Sequence, residues 1–167
     1  MVGCFWERMA VEGAEAVFLC GDTPYIDTSD LATGMVWHDK PNREKDDWQT
    51  YAHEREAVFD FLAQEKITGV VLLGGDVHVS LRLEHLPAER LGAPLFEYVV
   101  SPLHDSVIPS LVPKQDPRLR WSATEPNVFL RMVADTTGDT PTLTSTWIQM
   151  DGTRLHEHVI QVEPAAE

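Results

Sequence analysis

Residues 48–79 read WQTYAHEREAVFDFLAQEKITGVVLLGGDVHV, and this stretch decides the fold class. Trp48, Tyr51, Ala52, Arg55, Val58, Phe59 and Leu62 recur at i, i+3, i+4 spacing, which is helical period. Asp46 or Asp47 stands where an N-cap would be. The run Ile67 to Leu73 is β-branched and continuous, as a strand buried on both faces would be. A helix feeding a buried strand is the unit of an α/β layered fold, in which functional groups gather past the carboxyl ends of the strands. Asp76 stands at that place. Residues 5–25, FWERMAVEGAEAVFLCGDTPY, repeat the grammar: a helix-like stretch, a shorter apolar strand, then Gly-Asp at Asp22.

From about residue 94 the pattern changes. LFEYVVS, NVFLRMVAD, TLTSTWIQM and HEHVIQVE are strand-like, with TTGD and MDGT as hairpin turns between consecutive strands. The second half is therefore expected to be β-structure with antiparallel pairs. Residues 101–121 carry four prolines and are expected to be irregular loop, as are the polar, turn-rich residues 27–47. The whole chain of 167 residues reads as a single domain.

Composition narrows the function. Thirteen basic residues against 27 acidic give a net charge of −14, so a general nucleic-acid binder is not expected, because phosphate backbones would be repelled. A phosphate-bearing substrate would need a local positive charge such as a metal ion. The longest purely aliphatic run, Val70–Leu73, is far short of the ~20 residues of a membrane span. The start, MVGCFWERMA, does not read as a secretion signal, and the compartment is left open. Two cysteines cannot make a disulfide framework, and Cys20 in its apolar run reads as a buried thiol.

Three places could carry chemistry. In GDTPY, Asp22 is a hard oxygen ligand, and a turn at Thr23-Pro24 would bring the Tyr25 phenol near it. A phenol of ordinary pKa ~10 binds only a strongly polarising cation, and a plain turn explains the same residues. In GGDVHVS, Asp76 and His78 are two apart and would share a face if the strand continued. A carboxylate and an imidazole there suit a metal, although a hydrogen-bonded strand end would read alike. Cys4, before a helix-like run, reads either as a thiolate ligand or as a stray buried thiol.

Weaker candidates are His38-Asp39 in a loop, His53-Glu54 on a solvated helix face and His104-Asp105 as an outer pair. His156 and His158 read as surface residues, and Arg43, Lys45 and Arg55 could help hold a phosphate. No Walker-type loop, GxSxG elbow or CxxC pair occurs in the sequence.

VFLCGDTPYID, DDWQTYAHEREAVFDFLAQEKITGVVLLGGDVHVS and LFEYVVSPLH together resemble the PhoD-like alkaline phosphatases, part of the wider metallophosphatases. The D-W-x-x-Y-x-x-E-R helix and the GDVH strand end carry the resemblance, which spans most of residues 1–105. It implies a four-layer αββα sandwich, here incomplete, with iron and calcium at the strand ends. Cys4, Asp22 and Tyr25 would form the iron site, Asp22 bridging to the second metal, with Asp76 and His78 contributed by the later strand. A trivalent iron would hold both a thiolate and a phenolate. The implied activity is hydrolysis of phosphate mono- or diesters by a metal-bound hydroxide, with Asp22, Asp76 and His78 as its catalytic residues. The resemblance also implies an internally shortened member. The family's long central segment, with further strands and metal ligands, is missing near residues 31–33, which would leave apolar strand edges open to self-association. A non-catalytic metal-binding or partner-binding remnant is the alternative.

Overall fold

The computed structural model describes residues 17–19, 36–41, 48–67, 70–85 and 94–161. The first helix-like stretch, Cys4, Cys20, Asp22, Tyr25, the junction at 31–33, Arg43, Lys45 and the caps proposed at Asp46 or Asp47 lie outside these residues. In chain order come β1 (Val17–Leu19), α1 (Ala52–Gln64), β2 (Val70–Gly74), β3 (Ser80–His85), β4 (Leu95–Val99), a 3-10 turn (Pro109–Leu111), β5 (Leu119–Ala123), β6 (Val128–Asp135), β7 (Thr142–Gln149) and β8 (Arg154–Gln161).

Two sheets form. The first has the order β1-β2-β4-β3-β5, with β1, β2 and β4 parallel and β3 antiparallel to both β4 and β5. The second is an antiparallel meander, β6-β7-β8. Alternation along β2 and β4 explains how they stack. Val70, Leu72 and Leu95 face the helix and pack with Trp37, Trp48, Val58, Phe59 and Leu62. Val71 and Tyr98 face the other way and pack with Val128, Leu143 and Trp147 of the second sheet. The first sheet is thus covered on both faces at β2, which is why that strand reads as a continuous apolar run. The described residues form three layers: helix, mixed sheet, antiparallel sheet.

Helix α1 buries Val58, Phe59 and Leu62 as its period predicts, but it starts at Ala52 behind Tyr51, which makes no side-chain cap. Trp48 precedes the helix in a turn and stacks on Trp37 at 4.3 Å between ring centres. At the other end, Ile67 N–H reaches the Leu62 carbonyl (2.9 Å) and Lys66 N–H the Ala63 carbonyl (3.3 Å). This is a Schellman stop with Lys66, at φ 53°, in the left-handed position that usually takes glycine. Lys66→Gly should therefore stabilise the protein by about 0.5–1 kcal/mol. A urea midpoint unchanged or lowered in the variant would refute this.

The four strand-like segments of the second half form β4, β6, β7 and β8, joined at TTGD and MDGT as expected. Two expectations are corrected. The proline-rich stretch 101–121 is not all loop, since it ends in β5, which pairs with β3. His156 and His158 are not surface residues. They alternate on β8 on the face that looks inward, opposite Trp147 and Ser145. His156 stacks on Trp121 at 4.5 Å, and the Tyr98 hydroxyl is hydrogen-bonded to His158 Nδ1 at 2.7 Å.

Burial there disfavours charge. It pushes the Tyr98 phenol up and His158 down to about 4, with Arg82 and His156 adding to the second effect. A histidine depressed in the folded state binds fewer protons there than when unfolded, so its contribution is complete above the unfolded value of ~6.5 and lost as pH falls towards 4. Allowing for partial solvent screening, roughly 1–2 kcal/mol should disappear across that window. His158→Gln should flatten the pH dependence of the urea midpoint between those values. An identical slope in the two proteins would exclude His158 as the source.

Candidate functional site

The parallel strands β2 and β4 run side by side with Gly74 opposite Val99, so the loops that follow them leave at the same end of the sheet. The β2 loop carries Asp76 and His78. The strand does not continue through GDVH, so the shared face expected of Asp76 and His78 from strand alternation is not what places them. Instead β2 stops at Gly74, and Asp76 (φ 67°) and His78 (φ 54°) both take the left-handed conformation. Non-glycine residues in that region cost of order 1 kcal/mol each and persist where surrounding contacts hold them. The contacts are visible. His78 N–H donates to Ser101 Oγ (3.1 Å), Ile108 N–H donates to the His78 carbonyl (3.2 Å), and Val100 N–H donates to the Gly74 carbonyl (3.0 Å).

The β4 loop brings His104 against His78, edge to face, with ring centres 4.7 Å apart. His104 Nδ1 accepts from Ser106 N–H at 3.1 Å, which leaves its ring proton on Nε2. Asp105 does not join His104. It turns away to accept from Asn127 at 2.7 Å, which ties the loop to the start of β6.

A third segment completes the site. Residues 37–40, WHDK, cross the helix side of the first sheet, and every one is anchored. Trp37 N–H donates to Glu97 Oε1 (2.7 Å) and His38 Nδ1 meets the same oxygen (3.1 Å). Arg55 of α1 donates to the Trp37 carbonyl (2.8 Å) and to Asp39 (3.0 Å). Lys40 Nζ then lies 2.9 Å from Asp76 Oδ2. Arg55, read from sequence as a possible phosphate holder, is spent on this strap, and His38 lies buried against Glu97.

Glu97 sits mid-strand on β4, fully buried, and its second oxygen meets His85 Nε2 at 2.8 Å. Burial is the largest influence on its carboxyl and pushes the pKa up. The charge and hydrogen bond of His38 and those of His85 together outweigh it and hold the group well below the usual carboxylate range. Sequence reasoning passed over both Glu97 and Lys40. Glu97 did leave a signal, an acid on the same strand face as Leu95 and Val99, which demands partners. Lys40, in a polar stretch, left none.

Of the five residues expected to hold metal, only Asp76 and His78 are described. They suit a metal in chemistry. Among the described residues His78 Nδ1 is buried with no hydrogen-bond partner, which leaves that nitrogen open to a ligand, and the Asp76 side chain is half exposed at the sheet end. Among the described residues no group of three or more His, Cys, Asp or Glu side chains could hold a metal ion. No helix among them is long and apolar enough to cross a membrane.

Known proteins now bear on the site. The family model described as PhoD-like phosphatase matches residues 28–138, a span that takes in the WHDK strap, α1, the GDVH loop and the β4 loop. The chain belongs to the PhoD-like phosphatase family. A solved structure, described as the structure of PhoD, resembles this PhoD-like chain at 15% identity with a TM-score of 0.46. The match covers 96% of the chain but only 34% of that structure, so the chain spans about a third of its length. No curated protein matches the chain.

Proposed function

We propose that this PhoD-like chain is a metal-dependent phosphoesterase of the alkaline phosphatase D type, acting on phosphate mono- or diesters at the mouth of the GDVH loop. The observation that carries the reading is the loop itself: Asp76 and His78, strained and held at the carboxyl ends of two parallel strands, within the span the family model matches. Its complete architecture would be the αββα sandwich, with residues 1–167 one shortened domain. Asp76 and His78, with Cys4, Asp22 and Tyr25, would hold iron and calcium. Bound there, the metals would supply Lewis acidity, activating water and neutralising phosphoryl charge.

The protein's own groups have distinct tasks. Ser101 and Ile108 fix the His78 backbone, and its imidazole packs against His104. Lys40 holds one oxygen of Asp76. The His104 Nε2–H, beside His78, is a donor for a phosphoryl or leaving-group oxygen.

The test is release of p-nitrophenol from mono- and bis-p-nitrophenyl phosphate with iron and calcium supplied. Turnover that Asp76→Ala lacks supports the reading; release no greater than that of the variant removes it. A second reading, a non-catalytic metal- or partner-binding remnant, is favoured by the ammonium already seated on Asp76. Iron retained through purification without turnover would select it. A visible tyrosinate-to-iron absorption lost in Tyr25→Phe would support the ligand set under either reading. Self-association belongs to the same proposal, since β6 and β8 each pair on one side only among the described strands, and sedimentation would measure it.

A further inference from the structure

Lys40 is placed too deliberately for a surface lysine. Its side chain is 1% exposed while that of its partner Asp76 is 50% exposed. An ammonium is rarely taken out of water in this way, because desolvation is costly unless it serves a partner. The three residues before it leave the ammonium little choice of position. The Trp37 backbone and the His38 ring are pinned on the buried Glu97, and the Trp37 carbonyl and Asp39 on Arg55. The strap therefore delivers Lys40 Nζ to Asp76 Oδ2 from inside the protein, at 2.9 Å, with solvent on the far side of the carboxylate.

The geometry points to Lys40 as the resident cation of the Asp76 carboxylate. Its ammonium already occupies Oδ2, so a divalent cation reaches that oxygen only by displacing it, and one that binds the other oxygen does so against a nearby positive charge. In a chain of net charge −14, the site thus keeps one fixed positive charge of its own whatever metal is present. The inference rests on the phosphoesterase reading only in taking Asp76 as a cation-facing carboxylate.

The test uses the full chain and calcium ion alone, with affinity taken from the rise in melting temperature as calcium is added. Wild type is compared with Lys40→Met, Lys40→Gln and Lys40→Arg. Lys40→Gln keeps a donor for Asp76 without the charge, and it stands in if the methionine variant does not melt cooperatively. Removing a unit charge so close to the ion should tighten calcium binding by roughly tenfold or more in the two neutral variants. Lys40→Arg should bind as wild type does. Equal affinity in all four proteins overturns the inference, as does weaker binding in the neutral variants or calcium binding by none. Failure of the phosphoesterase reading would show separately, as absent ester hydrolysis in proteins whose calcium affinities still differ.

Discussion

Replacing Glu97 with alanine is expected to remove about 3–5 kcal/mol of folding stability, a large share of what a domain of this size holds. Among the described residues the carboxylate is the partner of Trp37 N–H, His38 Nδ1 and His85 Nε2, at 2.7, 3.1 and 2.8 Å. His38 and His85 are themselves 0% and 2% exposed, so water cannot take over the lost bonds. A buried donor without an acceptor carries its full desolvation penalty, and here several are stranded at once. Glu97→Gln keeps one acceptor oxygen but sets an amide N–H against another donor, and about 2 kcal/mol should go.

Acid should act through the same group. A carboxyl depressed in the folded state stabilises the protein above its unfolded value of about 4.5, and that contribution fades as pH drops below it. Glu97→Gln should lose that part of the acid dependence. Urea titrations at neutral and acid pH measure both effects. A midpoint shift worth less than about 1 kcal/mol in Glu97→Ala would mean that the network is not what secures the strap.

Trp147→Ala should be comparably severe, at about 3–5 kcal/mol. Trp147 lies at 0% exposure between the two sheets, and its Nε1–H donates to the Val99 carbonyl at 3.2 Å. Its ring meets Tyr98 at 5.0 Å, Trp121 at 5.2 Å and His156 at 5.5 Å between centres. Among the described residues the second sheet has three strands whose inner face is buried against the first, so the large residue that joins them contributes to the stability of both. Trp147→Phe, which keeps a ring and loses the donor, should recover more than half of the loss. A Trp147→Ala protein that melts as wild type does would show that the sheets are held together elsewhere.

Much of this architecture was legible before any coordinates. The helical period of residues 48–62, the apolar run before GDVH and the turns TTGD and MDGT each state a local preference strong enough to survive packing. The place of Asp76 and His78 past a strand end was legible too, because a buried strand followed by Gly-Gly has to stop there. The way those two residues are held was not, since strand alternation suggested a shared face and the backbone instead turns left-handed at both. The histidines of β8 misled for a related reason. His-x-His on an edge strand has the same pattern whether it faces water or a second sheet.

The amino-acid order alone determined which residues share a face within each element, since side-chain period follows from backbone geometry and needs no knowledge of neighbours. Tertiary structure alone decided which faces meet. Lys40 and Asp76 are 36 residues apart and His38 and Glu97 are 59 apart, and no local rule pairs them. They come together because the helix layer and the parallel strands press one strap between them, where a buried charged group is costly unless an opposite charge meets it.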